Sequence, residues 1–266
     1  MRWLVRFGYD GAGFYGWARQ PGLRTVEGVL RSGLVRQGLV SSAAAAHLEV
    51  ASRTDRGVSA RRNALALSSD RTGPALLRCL NGIAPDIFCT EASAVPEEFR
   101  VRRAAGRVYR YFEPCDPTLV DRWKEAATLF RGSIDVRSFG RGLSAAGPTY
   151  RPVESLEVAT IPGGLMLEVG APSFVWGMVR KIVGALREYA GGRLTLARLR
   201  DAIQGRVRLT LPLAEPERLV LWDVEYPIAW DVSWSGPNRH QRTRETEESR
   251  SLWGRTQVLR TIRSES

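Results

Sequence analysis

The order in which strand-like and helix-like stretches follow one another is the feature that most narrows the folds open to this chain. Residues 2–9 alternate apolar and polar as a first strand. Thr25 is a predicted N-cap, and after it Val26, Val29, Leu30 and Leu34 fall at i, i+3, i+4 and i+8, one apolar helix face. Residues 47–51 and 63–69 alternate again, Pro74 opens a helix through Leu76, Leu77 and Leu80, and residues 86–94 return as a strand. That is β-α-β-β-α-β, and the chain then repeats the order. Residues 106–113 read as a strand and 119–130 as a helix, and residues 153–161 and 165–170 make a hairpin around Pro162-Gly163-Gly164. Ser173 is the predicted cap of a helix with the apolar stripe Val175, Val179, Ile182 and Leu186, stopped by Gly191-Gly192. Residues 195–205 add a short helix and 218–226 a final strand. The pattern predicts an α+β fold of two ferredoxin-like (RRM-like) halves with mainly antiparallel sheets, which either join or face each other across a central cleft. The expected boundaries are 1–105 for the first half and 106–230 for the second. A polar linker and terminal helix then fill 231–266, the helix over 245–263.

Charge and cysteine usage exclude several classes of function. The chain carries 39 Lys+Arg against 28 Asp+Glu, a net charge of +11, and only Lys124 and Lys181 are lysines. So basic a chain points to a polyanion, and arginine adds bidentate phosphate contacts and stacking on bases. Three cysteines (Cys79, Cys89, Cys115) without a CxxC read as free thiols, and two distant histidines, His47 and His240, are too few for a zinc or iron site. The expectation is no metal and no cofactor. No apolar run reaches the roughly 20 residues that span a bilayer, and residues 1–7 are too interrupted by charge for a secretory signal, so a cytoplasmic protein is expected. Residues 11–13, Gly-Ala-Gly after the first strand, read either as a phosphate cradle or as a tight turn under packed aromatics.

The chemistry concentrates in one charged run, Ser52-Arg53-Thr54-Asp55-Arg56-Gly57-Val58-Ser59-Ala60, set between two strands. This puts Asp55 on a loop held by rigid elements, where functional carboxylates often sit. Arginines flank it, and arginine keeps its proton. Asp55 is therefore a nucleophile or base that works without a cofactor, or else a turn residue bonded to its own backbone. No second carboxylate in the loop suggests an acid–base pair of the glycosidase kind. In Arg107-Val108-Tyr109-Arg110-Tyr111 a strand would place Arg107, Tyr109 and Tyr111 on one face. Such a face stacks unpaired RNA bases, or packs across strands. Arg180, beside the apolar helix stripe, would be partly buried and seek a carboxylate, or reach to solvent.

These stretches resemble one family in the right order. "RTDRGVSA" is similar to the R-T-D-x-G-V-x-A signature of the tRNA pseudouridine synthase A family. "FGYDGAGFYGW", "LNGIAPDIFC", "RVYRYF", "SFVWGMVRKIVGAL" and "AEPERLVLWDVEY" resemble its further motifs over residues 1–226. The resemblance implies the pseudouridine synthase fold and a cofactor-independent isomerase acting on tRNA uridines 38, 39 and/or 40 in the anticodon stem-loop. It implies Asp55 as the catalytic aspartate, Tyr109 stacked on the target base, and Arg180 paired with Asp55. Arg53 would help to hold the uridine out of the stack; Arg56, Arg107 and Tyr111 are candidate substrate contacts by residue type rather than by the resemblance. It implies a homodimer in which each tRNA touches both subunits, with no membrane or DNA partner. Ser59, Ala18, Arg56, Ala84 and Arg218 depart from the family's common residues. The residue reading alone also admits a non-catalytic RNA-binding module of ferredoxin-like folds, or an RNA-modifying enzyme that uses a donor such as a methyl carrier.

Overall fold

The computed structural model describes residues 1–42, 44–143 and 149–236. The chain forms two compact units, Met1–Ala105 together with the described residues from Val220 to Gly236, and Gly106–Leu219. The terminal helix expected over 245–263 lies outside the described residues.

The first unit runs β1 (Arg2–Tyr9), α1 (Val26–Arg36), β2 (Glu49–Val50), β3 (Ser59–Ser68), α2 (Gly73–Asn81) and β4 (Ile87–Val95). β1 lies between β3 and β4 and is antiparallel to both, with Leu4 opposite Ala66 on one side and Ser93 on the other. β2 joins the far side of β3 through Glu49↔Ala66 and Val50↔Leu65. The order β4-β1-β3-β2 is the expected ferredoxin-like sheet. All eight residues of β1 are buried, so it is the spine of this core. Thr25 caps α1 as its sequence predicts, its hydroxyl accepting from the Gly28 amide at 3.2 Å.

The second unit contains β5 (Gly106–Pro114), α3 (Val120–Ala127), β6 (Gly132–Asp135), β7 (Tyr150–Val153), β8 (Ser155–Ile161), β9 (Gly164–Ala171), α4 (Met178–Ala190) and α5 (Leu196–Ile203). β9 is the centre of an antiparallel sheet, flanked by β5 and β8. Gly163 turns the β8–β9 hairpin at φ +82°. β6 and β7 pair with each other in a small ladder that the sequence pattern does not announce. α4 buries Val179, Ile182 and Leu186, the stripe read from the sequence. Its start differs from the prediction: the N-cap is Gly177 at φ +73°, not Ser173. The residues before it are taken up by β5, where the Phe174 ring stands edge-on to Tyr109 and the Pro172 carbonyl accepts from Arg107.

The last described strands are β10 (Leu219–Glu225) and β11 (Val232–Ser233). Val220 and Leu221 run parallel to Ser59 and Ala60 of β3, and Val232 pairs with Ala92 of β4. Residues from Val220 thus pack with the first unit, whereas the sequence pattern had carried the second half to residue 230. Asp231 fixes the return, its carboxylate accepting from the Ser93 hydroxyl at 2.8 Å and the Ala94 amide at 2.9 Å. Among the described residues no helix is long and apolar enough to cross a membrane.

Candidate active site

The charged run folds as its sequence predicts, in the connection between β2 and β3. The Val58 amide donates to the Asp55 carbonyl at 3.2 Å, closing a turn with Gly57 at φ +83°. Only glycine takes that third position without strain. Asp55 and Thr54 are half-buried, and Arg53 and Arg56 are exposed. The loop is pinned from several sides. The Trp17 amide donates to the Thr54 carbonyl at 3.1 Å, the Tyr9 and Thr54 hydroxyls share a hydrogen bond of 2.8 Å, and the Asn63 amide group donates to the Ser52 carbonyl at 2.9 Å. Tyr9, Trp17 and Asn63 are buried, so these contacts tie the loop to the core.

The glycine segment after β1 is the floor of this loop. Residues Gly11–Gly13 form one turn of 3-10 helix, with Asp10 accepting from the Ala12 amide at 3.0 Å. The Gly11 amide donates to the Ser59 hydroxyl at 3.0 Å. Those two amides are spent inside the protein, and Phe14 and Trp17 are buried beneath, so of the two readings the tight turn under aromatics is the one formed. A Cβ on Gly11 would stand 2.2 Å from the Val58 carbonyl oxygen. Gly16, at φ +85°, would bring one to 3.0 Å from the Thr54 oxygen and 3.1 Å from the Arg56 nitrogen. The segment is locked in turn by Arg24, which grips the buried Asp86 with bonds of 2.7 and 2.9 Å, donates to the Gly13 carbonyl at 3.0 Å, and lies over the Phe14 ring. Such bidentate pairs are the stronger kind of ion pair.

The two loop arginines have different surroundings. Arg56 lies 4.3 Å above the ring of Tyr15, itself 41% exposed. Arg53 acts on Glu27 at the start of α1. Burial raises the Glu27 carboxyl, but the Arg19 amide, Arg31 and the charge of Arg53 together bring it below its ordinary range.

In the second unit Arg107, Tyr109 and Tyr111 alternate along β5, opposite Ala171, Val169 and Leu167 of β9. Their environments diverge. Tyr109 is buried, with the Phe174 ring edge-on at 5.0 Å and 83°. Arg107 is buried and donates to the Pro172 carbonyl. Tyr111 is 0% exposed, and its hydroxyl donates to Glu215 at 3.0 Å. Burial, then the charges of Glu113 and Glu215, push its phenol far above the ordinary range. Its ring has no open face for a base to stack on. Arg180 stands in the first turn of α4, half-buried, and donates through Nε to the Ala214 carbonyl at 2.6 Å, while the Ala214 amide donates back to the Arg180 carbonyl at 3.2 Å.

The sequence reading missed the supports. Tyr9, Gly11, Gly16, Arg24 and Asp86 shape the Asp55 loop, and Ala214 orients Arg180. Tyr9, Gly11, Gly16, Asp86 and Ala214 lie within the motifs quoted above but without a role at the site assigned to them, and nothing in the sequence singles out Arg24.

An α+β protein with a ferredoxin-like sheet, an arginine-flanked aspartate on a rigid loop and a strong basic balance belongs to a recognisable class, and comparison with known proteins identifies it. Residues 126–227 match the family model described as "tRNA pseudouridine synthase". The curated protein named "tRNA pseudouridine synthase A" of Thermococcus kodakarensis is 36% identical over 255 residues, 95% of either chain. The proteins of the same name from Pyrococcus abyssi and Thermococcus onnurineus are 37% and 38% identical, each alignment covering 85% of both chains. Among solved structures, the crystal structure of a Cbf5-Nop10-Gar1 complex is a distant likeness, with a TM-score of 0.36 and 16% identity over 67% of this chain and 44% of that one. This chain is an RNA pseudouridine synthase, an isomerase. It belongs to the tRNA pseudouridine synthase A family.

Proposed function

We propose that this chain isomerises uridine to pseudouridine in the anticodon stem-loop of tRNA, at positions 38, 39 and/or 40, with Asp55 as the catalytic carboxylate. The reaction balances without a cofactor. The bond from N1 of uracil to the ribose breaks, the base turns, its C5 bonds to the same ribose carbon, and the proton on C5 is lost as the N1 position regains one. A carboxylate can serve by attacking the ribose or the base, or by taking the C5 proton. Any of these needs it held still. The observation that carries the reading is how Asp55 is held, on a turn pinned by Tyr9, Trp17 and Gly57 and flanked by the exposed Arg53 and Arg56.

Other roles follow from the family resemblance. Tyr109 stacks on the target base, Arg180 supplies the countercharge of Asp55, and Arg53 keeps the flipped nucleotide out of the helix. By residue type, Arg56 and Arg107 add to the grip on the RNA. Tyr111 is enclosed and spends its hydroxyl on Glu215, so it has a different part. Extruding a stem nucleotide costs a few kcal/mol, and the net charge of +11 supports backbone contacts that offset it. A cytoplasmic homodimer, with each tRNA touching both subunits, completes the proposal.

The test is Asp55→Asn on unmodified tRNA transcripts, with pseudouridine mapped by position. The expected result is no product while most of the tRNA affinity remains, because that affinity comes from phosphate contacts. Undiminished product formation by the variant sinks the catalytic role of Asp55. Intact binding with no product from the unaltered chain would favour a plain RNA-binding module.

A further inference from the structure

We infer that Glu215 is a positioning residue for Arg180, acting through the backbone of Ala214; the inference rests on the catalytic role proposed above for Arg180. Arg180, Gly184 and Arg187 fall at i, i+4 and i+7 of α4, so they form one stripe of that helix. All three hold the same short segment. Arg180 and Ala214 exchange two hydrogen bonds, from Nε to the carbonyl and from the amide back to the Arg180 carbonyl. At Gly184 a Cβ would lie 2.2 Å from the Pro212 carbonyl oxygen, so the segment is seated against bare helix backbone. Arg187 grips Glu215 with bonds of 3.3 and 2.7 Å.

The grip on Glu215 is itself anchored. Arg187 also holds Glu113 with two bonds, of 2.8 and 2.7 Å, and the Glu113 side chain is only 6% exposed. Tyr111 donates to Glu215 at 3.0 Å from inside the core. Arg218 lies 3.7 Å from Glu113 and 3.8 Å from Glu215. Arg187 holds the Glu215 carboxyl down to about 2, so the grip stays charged across the neutral range.

The reason for such a grip lies in the side chain it serves. A guanidinium on a flexible stem carries rotamer entropy, which a catalytic countercharge must lose beforehand. An Nε bond to a carbonyl fixes the stem only if the carbonyl is itself fixed. Ala214 is buried, and Glu215, the next residue, is the one with charge-assisted bonds to the helix. The buried network at Tyr111 and Glu113 would then serve catalysis without touching substrate.

Single-turnover rates on unmodified tRNA test this. Glu215→Gln is expected to lower the rate about ten- to hundredfold, the loss that a misplacement near 1 Å can cause, with KM for tRNA little changed. Glu188→Gln removes a carboxylate from the same helix, one that pairs with Arg193, and is expected to leave the rate unchanged. In an Arg180→Lys background, where no Nε fork remains to be aimed, Glu215→Gln should cost nothing further. Should Glu215→Gln fail to fold, Tyr111→Phe removes one of the bonds to Glu215 and should show a smaller loss of the same kind. Overturning results are an unchanged rate in the folded Glu215 variant, or in Tyr111→Phe where that stands in for it, a loss confined to KM, or a full additional loss in the Arg180→Lys background. Were Arg180→Met as active as the unaltered chain, the role of Arg180 would fall, and this inference with it. An active-site role for Arg180 without one for Glu215 would sink only the inference.

Discussion

Asp55 in the first unit and Arg180 in the second are held in opposite ways. The Asp55 loop is positioned by main chain. Its turn and its contact with Trp17 are backbone bonds, and its floor is the Gly11 amide bonded to the Ser59 hydroxyl, on a segment shaped by glycines at 11, 16 and 57. Arg180 is positioned by side chains, through a segment tied down by Arg187, Glu113, Glu215 and Tyr111. A backbone cradle leaves the aspartate few alternative directions, with the Arg24–Asp86 pair holding the glycine segment behind it. A charged network can be tuned by single substitutions, and its members are distant in sequence.

The comparison is broken most severely at the two glycines whose Cβ would meet main chain. Gly11→Ala and Gly184→Ala each place a methyl 2.2 Å from a carbonyl oxygen, of Val58 and of Pro212 respectively. Each should destabilise the protein by about 2–3 kcal/mol, the usual cost of overpacking, and lower its melting temperature by several degrees. Below the melting transition both should lose most activity, Gly11→Ala by shifting the base of the Asp55 loop and Gly184→Ala by lifting the Ala214 segment. Calorimetry with single-turnover assays checks this. A Gly11→Ala protein with full activity would show that the loop does not depend on its floor.

The contrast also explains what the sequence made legible. The Asp55 loop was readable because its determinants are local: alternating strands, a charged turn and a glycine at the strained position all fall within residues 47–69. The first sheet followed from the same short-range patterns. The network behind Arg180 was not readable, because Glu113 and Arg187 are 74 residues apart and Tyr111 and Glu215 are 104 apart. Alternation on β5 put Tyr111 on the same face as Tyr109, but it could not say that one meets Phe174 and the other the half-exposed Glu215 carboxylate. The start of α4 was missed because Ser173 is a good cap by type, while the ordering of Phe174 against Tyr109 is a tertiary event. Composition gave no hint that β10 would pack with the first unit, since its pairing with β3 joins residues some 160 positions apart.

A milder probe of the first unit is Tyr9→Phe. It deletes only the hydroxyl that shares a 2.8 Å bond with Thr54, in a side chain that is otherwise fully buried. The expected cost is about 1 kcal/mol by denaturant melts, with a modest fall in rate, because the backbone bonds to Thr54 and Asp55 remain. A loss of rate as large as that of Gly11→Ala would show that the side-chain bond, not the main chain, sets the loop, and the contrast between the units would collapse.

The smallest effect, and the one that sharpens the contrast, is in pH. The Glu215 carboxyl is held down to about 2 by Arg187, against an ordinary value of 4.5. A lowered carboxylate adds stability that is complete above 4.5 and is lost as pH falls through 2. With the Glu215 side chain 49% exposed, solvent screening limits this to about 1 kcal/mol or less. Glu113 runs the other way. Burial lifts its carboxyl above the ordinary value despite the bonds from Arg187, so its contribution weakens as pH rises past 4.5. The stability difference between the unaltered chain and Glu215→Gln should therefore be flat from pH 7 to about 5 and shrink on further acidification, while the difference for Glu113→Gln should fall as pH rises past 4.5 and be flat below it. Paired melts against pH read both slopes. Two slopes of the same sign would mean that the two carboxylates share one environment, and Arg187 would then be a simple ion-pair partner rather than the link between a buried anchor and a solvent-facing grip.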